Sequence, residues 1–153
     1  MTDCFISYSN HDQRLAEFVH SELRNHGVAA FMASASLQPG QHWSEEILTN
    51  LRNSKLVILL ASRAACASAF VNQEIGGAVL ASKQLVPIVW DMNPTELPGW
   101  ARQVQAIDLR GATMPDLRAK VAGIAGRMKQ EQMQMLLIAG AVLFGLLVLA
   151  SSK

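Results

Sequence analysis

The sequence has almost no excess of positive or negative charge, and it has few cysteines. Its 153 residues carry 13 Lys and Arg against 12 Asp and Glu, a formal net charge of +1, and these residues are scattered along the chain. Nucleic-acid binding needs a basic face or stripe, so the composition argues against that class of partner. The two cysteines, Cys4 and Cys66, and opening residues without signal-peptide features lead us to expect a cytoplasmic domain without a disulfide framework.

Several common ligand-binding motifs are also absent from the sequence. It contains neither GxGxxG nor GxxxxGK[ST], which excludes the usual glycine-cradled dinucleotide and P-loop sites. It has no CxxC or HExxH, and its four histidines are spread over loop and helix positions, so no metal site is predicted. GxSxG is missing as well, which removes support for an esterase.

Short apolar runs alternate with amphipathic stretches over the first 130 residues. The pattern predicts strands at 4–8, 28–32, 55–62, 85–90 and 104–109. It predicts helices at 12–27, from about Ser44, at 68–83 and from about Pro115. This alternation is typical of an α/β fold with an open, doubly wound, five-stranded parallel sheet that carries helices on both faces. Ligands of such sheets bind beyond the carboxyl ends of the strands, so the residues after Tyr8, Met32 and Ser62 should line the crevice.

One long apolar run lies near the end of the sequence. Residues 132–152 carry no charge, and residues 135–150 are apolar throughout. At about 1.5 Å per residue, the uncharged stretch would cover a hydrocarbon core roughly 30 Å thick. We therefore predict a juxtamembrane helix at 126–134 and a transmembrane helix at 135–152, with the preceding Lys and Arg residues keeping the main domain cytoplasmic. The alternative is a helix that is buried in a partner or in the core of a homo-oligomer.

Four sequence segments, in order, resemble the motifs of the Toll/interleukin-1 receptor (TIR) domain. "FISYSNHD" (5–12) is similar to its first box, "LQPGQHW" (37–43) to its BB loop, and "LRNSKLVILLAS" (51–62) to the helix-to-strand segment that follows. Ser68, Phe70 and Glu74 resemble its S-x-W-x-x-x-E pattern, with phenylalanine in place of tryptophan. Ala33 stands where many relatives carry an acid. The resemblance covers about residues 1–125 and implies the flavodoxin-like TIR fold.

The resemblance implies either an enzyme or an assembly module. TIR enzymes cleave NAD at the bond between nicotinamide and ribose, and Glu74 stands where they carry their catalytic glutamate. NAD would then be the substrate, giving ADP-ribose or a cyclic variant, with no cofactor and no metal. The residues that we expect to bind NAD are Ser7, Tyr8, Ser9, Phe70 and Trp90. Other TIR domains are adaptors that only assemble.

Glu74 itself has two interpretations. It is either a solvated acid near the positive end of a helix, or the catalytic carboxylate. A single carboxylate is sufficient for NAD cleavage, because nicotinamide leaves a cationic ring nitrogen as a neutral molecule and needs no proton. The carboxylate would stabilise the positive charge that develops on the ribose.

The Pro39–Gly40 turn lies in the loop that TIR domains exchange between neighbours, so we predict that it is the assembly switch. With the apolar tail, the resemblance to prokaryotic members implies a membrane-anchored NAD hydrolase of antiviral defence, activated by self-assembly. It would be a single-pass protein of the inner membrane with its TIR domain in the cytoplasm, and its upstream activator is unknown. The alternative is a non-enzymatic module that clusters its membrane tails.

Overall fold

The computed structural model describes residues 2–33 and 45–151, with side chains as far as residue 142. The predicted assembly loop with Pro39 and Gly40, and the predicted helix start at Ser44, lie outside the described residues.

The described strands form one parallel sheet. They are β1 (Cys4–Ser7), β2 (Ala30–Ala33), β3 (Leu56–Leu60), β4 (Gln84–Val89) and β5 (Ile107–Asp108). Their order is β2-β1-β3-β4-β5 and every pairing is parallel, so the predicted five-stranded parallel sheet is confirmed. The strand order reverses between β1 and β3, which is the place beside which sheets of this kind bind ligands.

In the described residues, helices lie between the strands, and the last helix follows β5. They are α1 (Gln13–Asn25), α2 (Glu45–Asn53), α3 (Arg63–Ala67), α4 (Ala69–Leu80) and α5 (Met114–Ser151). The five-residue helix α3 was not predicted, because it is too short to show a helical period. Ser68 separates it from α4, since the Ser68 hydroxyl accepts a hydrogen bond from the backbone N–H of Val71 and so caps the first turn of α4. Gly27 follows α1 with a φ of +74°, where glycine carries no steric cost.

Two apolar layers cover the two faces of the sheet. The first, which we call the α1–α5 layer, contains buried residues of those helices together with Cys4 and Ile6 of β1 and Tyr8, which follows β1. The second, the α2–α4 layer, contains Phe5 of β1 together with buried residues of α2, α3 and α4. Successive residues of a strand point to opposite faces, so each strand supplies both layers in alternation. The predicted helices on both faces are confirmed.

Helix α5 runs without a break from the domain into the apolar tail. Leu117, Val121, Ile124 and Met128 of its first half are buried in the α1–α5 layer. The structure therefore has a single helix across the predicted boundaries at 125 and 134.

In the second half of α5, large apolar side chains are exposed. Four consecutive side chains are each more than 60% exposed, namely Met135, Leu136, Leu137 and Ile138. Four consecutive positions cover every side of a helix, so this part of α5 exposes apolar side chains all round. Among the residues that the structure describes, none of the helices has the length and apolarity needed to cross a membrane. The predicted transmembrane helix at 135–152 is not supported by these residues, and the side chains of 143–152 lie outside them.

Candidate functional site

Ser7 and Glu74 meet inside the α2–α4 layer. Ser7 is the last residue of β1, and Glu74 lies in the second turn of α4. The Ser7 Oγ donates a hydrogen bond to Glu74 Oε2 at 2.5 Å. Both residues are 0% exposed. The interpretation of Glu74 as a solvated surface acid is therefore wrong.

The second oxygen of Glu74 has no hydrogen-bond partner among the described residues. This atom, Oε1, is fully buried, and within the same part of the chain Glu74 has no ion-pair partner. Buried acceptors in folded proteins are nearly always paired, and an unpaired buried carboxyl is costly. An unpaired carboxyl oxygen inside a domain is therefore an unusual feature of this fold.

Burial controls the protonation of Glu74. Loss of water raises the pKa of this carboxyl to about 8, and the hydrogen bond from Ser7 acts in the opposite direction. The pKa of the neighbouring Tyr8 is also raised, first by its own burial and then by the charges of Glu17 and Glu74. In this conformation Glu74 is mostly protonated at neutral pH.

The other residues predicted to bind NAD are divided between the two layers. Phe70 is half-buried in the α2–α4 layer, one helical turn before Glu74. Tyr8 and Trp90 belong instead to the α1–α5 layer on the opposite face of the sheet. The Ser9 hydroxyl accepts a hydrogen bond from the backbone N–H of His11 at 3.2 Å and so begins the turn that precedes α1. The structure thus brings Ser7 and Glu74 into contact, with Phe70 one turn earlier on the same helix. It places the side chains of Tyr8 and Trp90 in the other layer.

A polar cluster that the sequence did not predict lies beyond the carboxyl ends of β1, β3 and β4. The Ser62 Oγ donates to Asp12 Oδ2 at 2.5 Å and accepts from the backbone N–H of Ala65 at 3.0 Å. The carboxylate of Asp91 accepts from the backbone N–H of Arg63 at 3.1 Å. Burial raises the pKa of Asp12, the bond from Ser62 opposes this, and the charge of Asp91 adds to the increase.

The role of this cluster is to hold the start of α3, since Ser62 and Asp91 both accept from backbone N–H groups there. The sequence predicted that the residues after Ser62 line the crevice, but it did not predict the contact between Ser62 and Asp12. The signal that could have found this contact is that acids or hydroxyls follow adjacent parallel strands, whose carboxyl ends share one edge of the sheet.

A cavity of about 660 Å³ lies elsewhere, between the start of β4, residues 104–108 and α5. It contains none of the residues predicted to bind NAD. Within the described ranges, no group of three histidine, cysteine or acidic side chains is arranged to hold a metal ion.

The chain is similar in sequence to a plant enzyme. A probable 2′ cyclic ADP-D-ribose synthase from Brachypodium distachyon is 25% identical over 97 residues, which are 62% of this chain and 43% of the plant protein. The chain therefore spans less than half of that relative's length.

Solved TIR domains share its fold. The TIR domain of the Toll-related receptor TRR-2 from Hydra magnipapillata has a TM-score of 0.59 and 20% identity, covering 71% of this chain and 84% of that one. The TIR domains of the activated Roq1 resistosome give a TM-score of 0.55 and 19% identity, covering 85% and 82%. A family model described as "TIR domain" matches residues 4–122. Because this match spans most of the sequence, the chain belongs to the TIR domain family.

Proposed function

We propose that this chain cleaves NAD at the bond between nicotinamide and ribose, with Glu74 as the catalytic residue. The observation that carries the proposal is the buried carboxyl of Glu74, of which one oxygen is held by Ser7 and the other is unpaired among the described residues. A strongly perturbed carboxyl beside the switch point of an α/β sheet is a typical property of a functional site. The name of the plant relative, a probable 2′ cyclic ADP-D-ribose synthase, supports the same class of reaction.

The chemistry requires one ionised carboxylate. The nicotinamide of NAD departs with the electrons of the C–N bond and becomes neutral, which leaves positive charge on the ribosyl ring. A carboxylate in a site that excludes water stabilises that charge more strongly than water does, and it does so only as the transition state forms. Attack by water then gives ADP-ribose, whereas attack by a group of the same molecule gives a cyclic product.

Access to Glu74 is the natural point of control. Glu74 is 0% exposed, so NAD reaches it only when the covering residues move. We propose that self-association of TIR domains, including the Pro39–Gly40 loop, favours that open form. The TIR domains of the Roq1 resistosome belong to an activated assembly, which supports this regulation. The prokaryotic antiviral role and the inner-membrane location stay predictions.

The test is NAD consumption by the purified full chain at high protein concentration, with the products identified by mass spectrometry. We compare the wild type with Glu74→Gln, which keeps the shape of the side chain but cannot ionise. The matched control is Glu22→Gln, since Glu22 is the other buried glutamate of the described residues. We expect Glu74→Gln to lose about 100-fold or more of the activity, as expected for a main electrostatic contributor, and Glu22→Gln to retain it. Equal activity of the wild type and Glu74→Gln would contradict the proposal.

The exposed apolar side chains of α5 favour a second candidate, a non-enzymatic module that assembles through its tail. Met135, Leu136, Leu137 and Ile138 would gain stability from any apolar cover, and a second copy of the same helix provides it. Light scattering of the full chain and of residues 1–130 tests this candidate. Oligomers that need residues 131–153, together with NAD left intact, would favour it. A monomeric full chain in buffer that binds to vesicles would point to a membrane instead.

A further inference from the structure

The two oxygens of Glu74 are not equivalent. Oε2 accepts the hydrogen bond from Ser7, whereas Oε1 is buried without a partner among the described residues. A carboxylate oxygen can accept two hydrogen bonds, so Oε1 can accept from a ligand donor once the residues that cover it move. The hydroxyl groups of a ribose are donors of that kind.

Ser7 is a fixed donor. It lies on β1, which is a central strand, and its Cα is in register with Ala33 on β2 and with Leu59 on β3. Strand pairing on both sides fixes its backbone, and the side chain is fully buried. Its hydroxyl is already donated to Glu74, so it is not available to donate to a ligand.

We propose that Ser7 is a positioning residue: its hydroxyl holds Glu74 Oε2 and thereby presents Oε1 to the ribose of NAD. This inference rests on the proposed NAD cleavage, and it replaces the prediction that Ser7 itself binds NAD. Glu74 remains the residue that touches the substrate, and Ser7 acts through it.

The electrostatic surroundings give the expected consequence of removing the hydroxyl. Burial raises the pKa of Glu74 and the bond from Ser7 lowers it. In the described residues no cation pairs with Glu74. The charge of Glu74 acts on Tyr8, the residue that follows β1, and raises the pKa of its hydroxyl. Without the hydroxyl, ionised Glu74 loses its hydrogen-bond donor, so its pKa should rise further.

The first test measures the pKa of Glu74 by ¹³C NMR of the carboxyl carbon in the full chain without NAD, using Glu74→Gln to assign the signal. We expect Ser7→Ala to raise this pKa by about one pH unit. Ser7→Thr, which keeps the hydroxyl, should stay close to the wild type. Ser7→Cys, a weaker donor of similar size, should lie between them and serves if Ser7→Ala does not fold. An unchanged pKa in both Ser7→Ala and Ser7→Cys would overturn the proposal.

The second test measures NAD cleavage against pH for the same variants. In Ser7→Ala, kcat/KM at pH 7 should fall about tenfold and recover at higher pH, because the ionised fraction of Glu74 in the free chain falls by that factor. A loss that appears as a higher KM at every pH would mean that Ser7 binds NAD. If the wild type does not cleave NAD, the proposed function fails, whereas the NMR result still decides whether Ser7 holds Glu74.

Discussion

Two glutamates are buried on opposite faces of the sheet, and they differ in the groups that contact their carboxyls. Glu22 of α1 is 9% exposed, and its Oε1 lies 3.2 Å from the Nε of Arg118 on α5. Arg118 also lies over the ring of Phe18, with its guanidinium carbon 5.6 Å from the ring centre. Glu74 of α4 is 0% exposed, and the described residues provide it with one hydroxyl and no cation.

The difference separates an acid that joins two helices, Glu22, from the acid that we propose to be catalytic, Glu74. A paired carboxylate at the edge of a layer is a common way to join two helices, and α1 and α5 are joined there. An unpaired carboxyl inside a layer lowers stability, and proteins accept such a cost mainly where the group has a function. Three experiments test this difference between Glu22 and Glu74.

The largest effect is expected in the pH dependence of stability. Folded Glu74 keeps its proton up to about pH 8, whereas the unfolded side chain releases it near 4.5. The unfolded state therefore binds fewer protons in this window, and the free energy of unfolding falls as pH rises from 4.5 to 8. Between pH 4 and pH 7 the wild type should lose about 3 kcal/mol more than Glu74→Gln does. Urea unfolding at both pH values measures this, with Glu22→Gln as the control. If the free energy of unfolding changed equally with pH in the wild type and in Glu74→Gln, the raised pKa of Glu74 would be contradicted.

The pH profile of NAD cleavage by the wild type comes next. Only ionised Glu74 can stabilise the ribosyl cation, and its pKa is about 8. The rate should therefore rise close to tenfold per pH unit between pH 6 and pH 7, and level off above pH 8. Initial rates at NAD concentrations well below KM, in buffers of equal ionic strength, give the profile of kcat/KM, which reports the free chain. A flat profile between pH 6 and pH 8 would show that the reacting form of Glu74 has a much lower pKa than the folded chain described here.

The smallest effect concerns the partner of Glu22. Arg118 has a side chain that is 62% exposed, so solvent screens its ion pair. Arg118→Ala should lower the free energy of unfolding by about 1 kcal/mol, including the contact with Phe18, and less in high salt. Urea unfolding at low and high salt measures it. NAD cleavage should not change, and a large loss of activity would mean that the two layers are not independent.

The sheet could be predicted from the sequence because its strands are short apolar runs between clear helices. The face of the sheet on which Tyr8 and Trp90 lie could also have been predicted, because residues along a strand alternate between the two faces. Tyr8 alternates in step with Cys4 and Ile6, and all three belong to the α1–α5 layer.

The burial of Glu74 could not be predicted. The motif gives the position of the glutamate along the chain, but its burial depends on how α4 is rotated against the sheet. That rotation is set by the cap at Ser68 and by contacts of Val71, Ile75 and Ala78 with strands distant in sequence. The Ser62–Asp12 contact joins residues 50 positions apart, but both residues follow strands that are neighbours in the sheet, so the predicted parallel sheet could have indicated it.

Because α5 is one continuous helix, the tail is a helical extension of the domain and not a flexible linker. A helix of 38 residues is about 57 Å long, and Leu117, Val121 and Ile124 near one end are fixed in the α1–α5 layer. A flexible linker would let the domain turn freely about its tail. Here, whatever holds the far end also sets the angle of the domain, so tails gathered side by side would present their sheets in a common orientation.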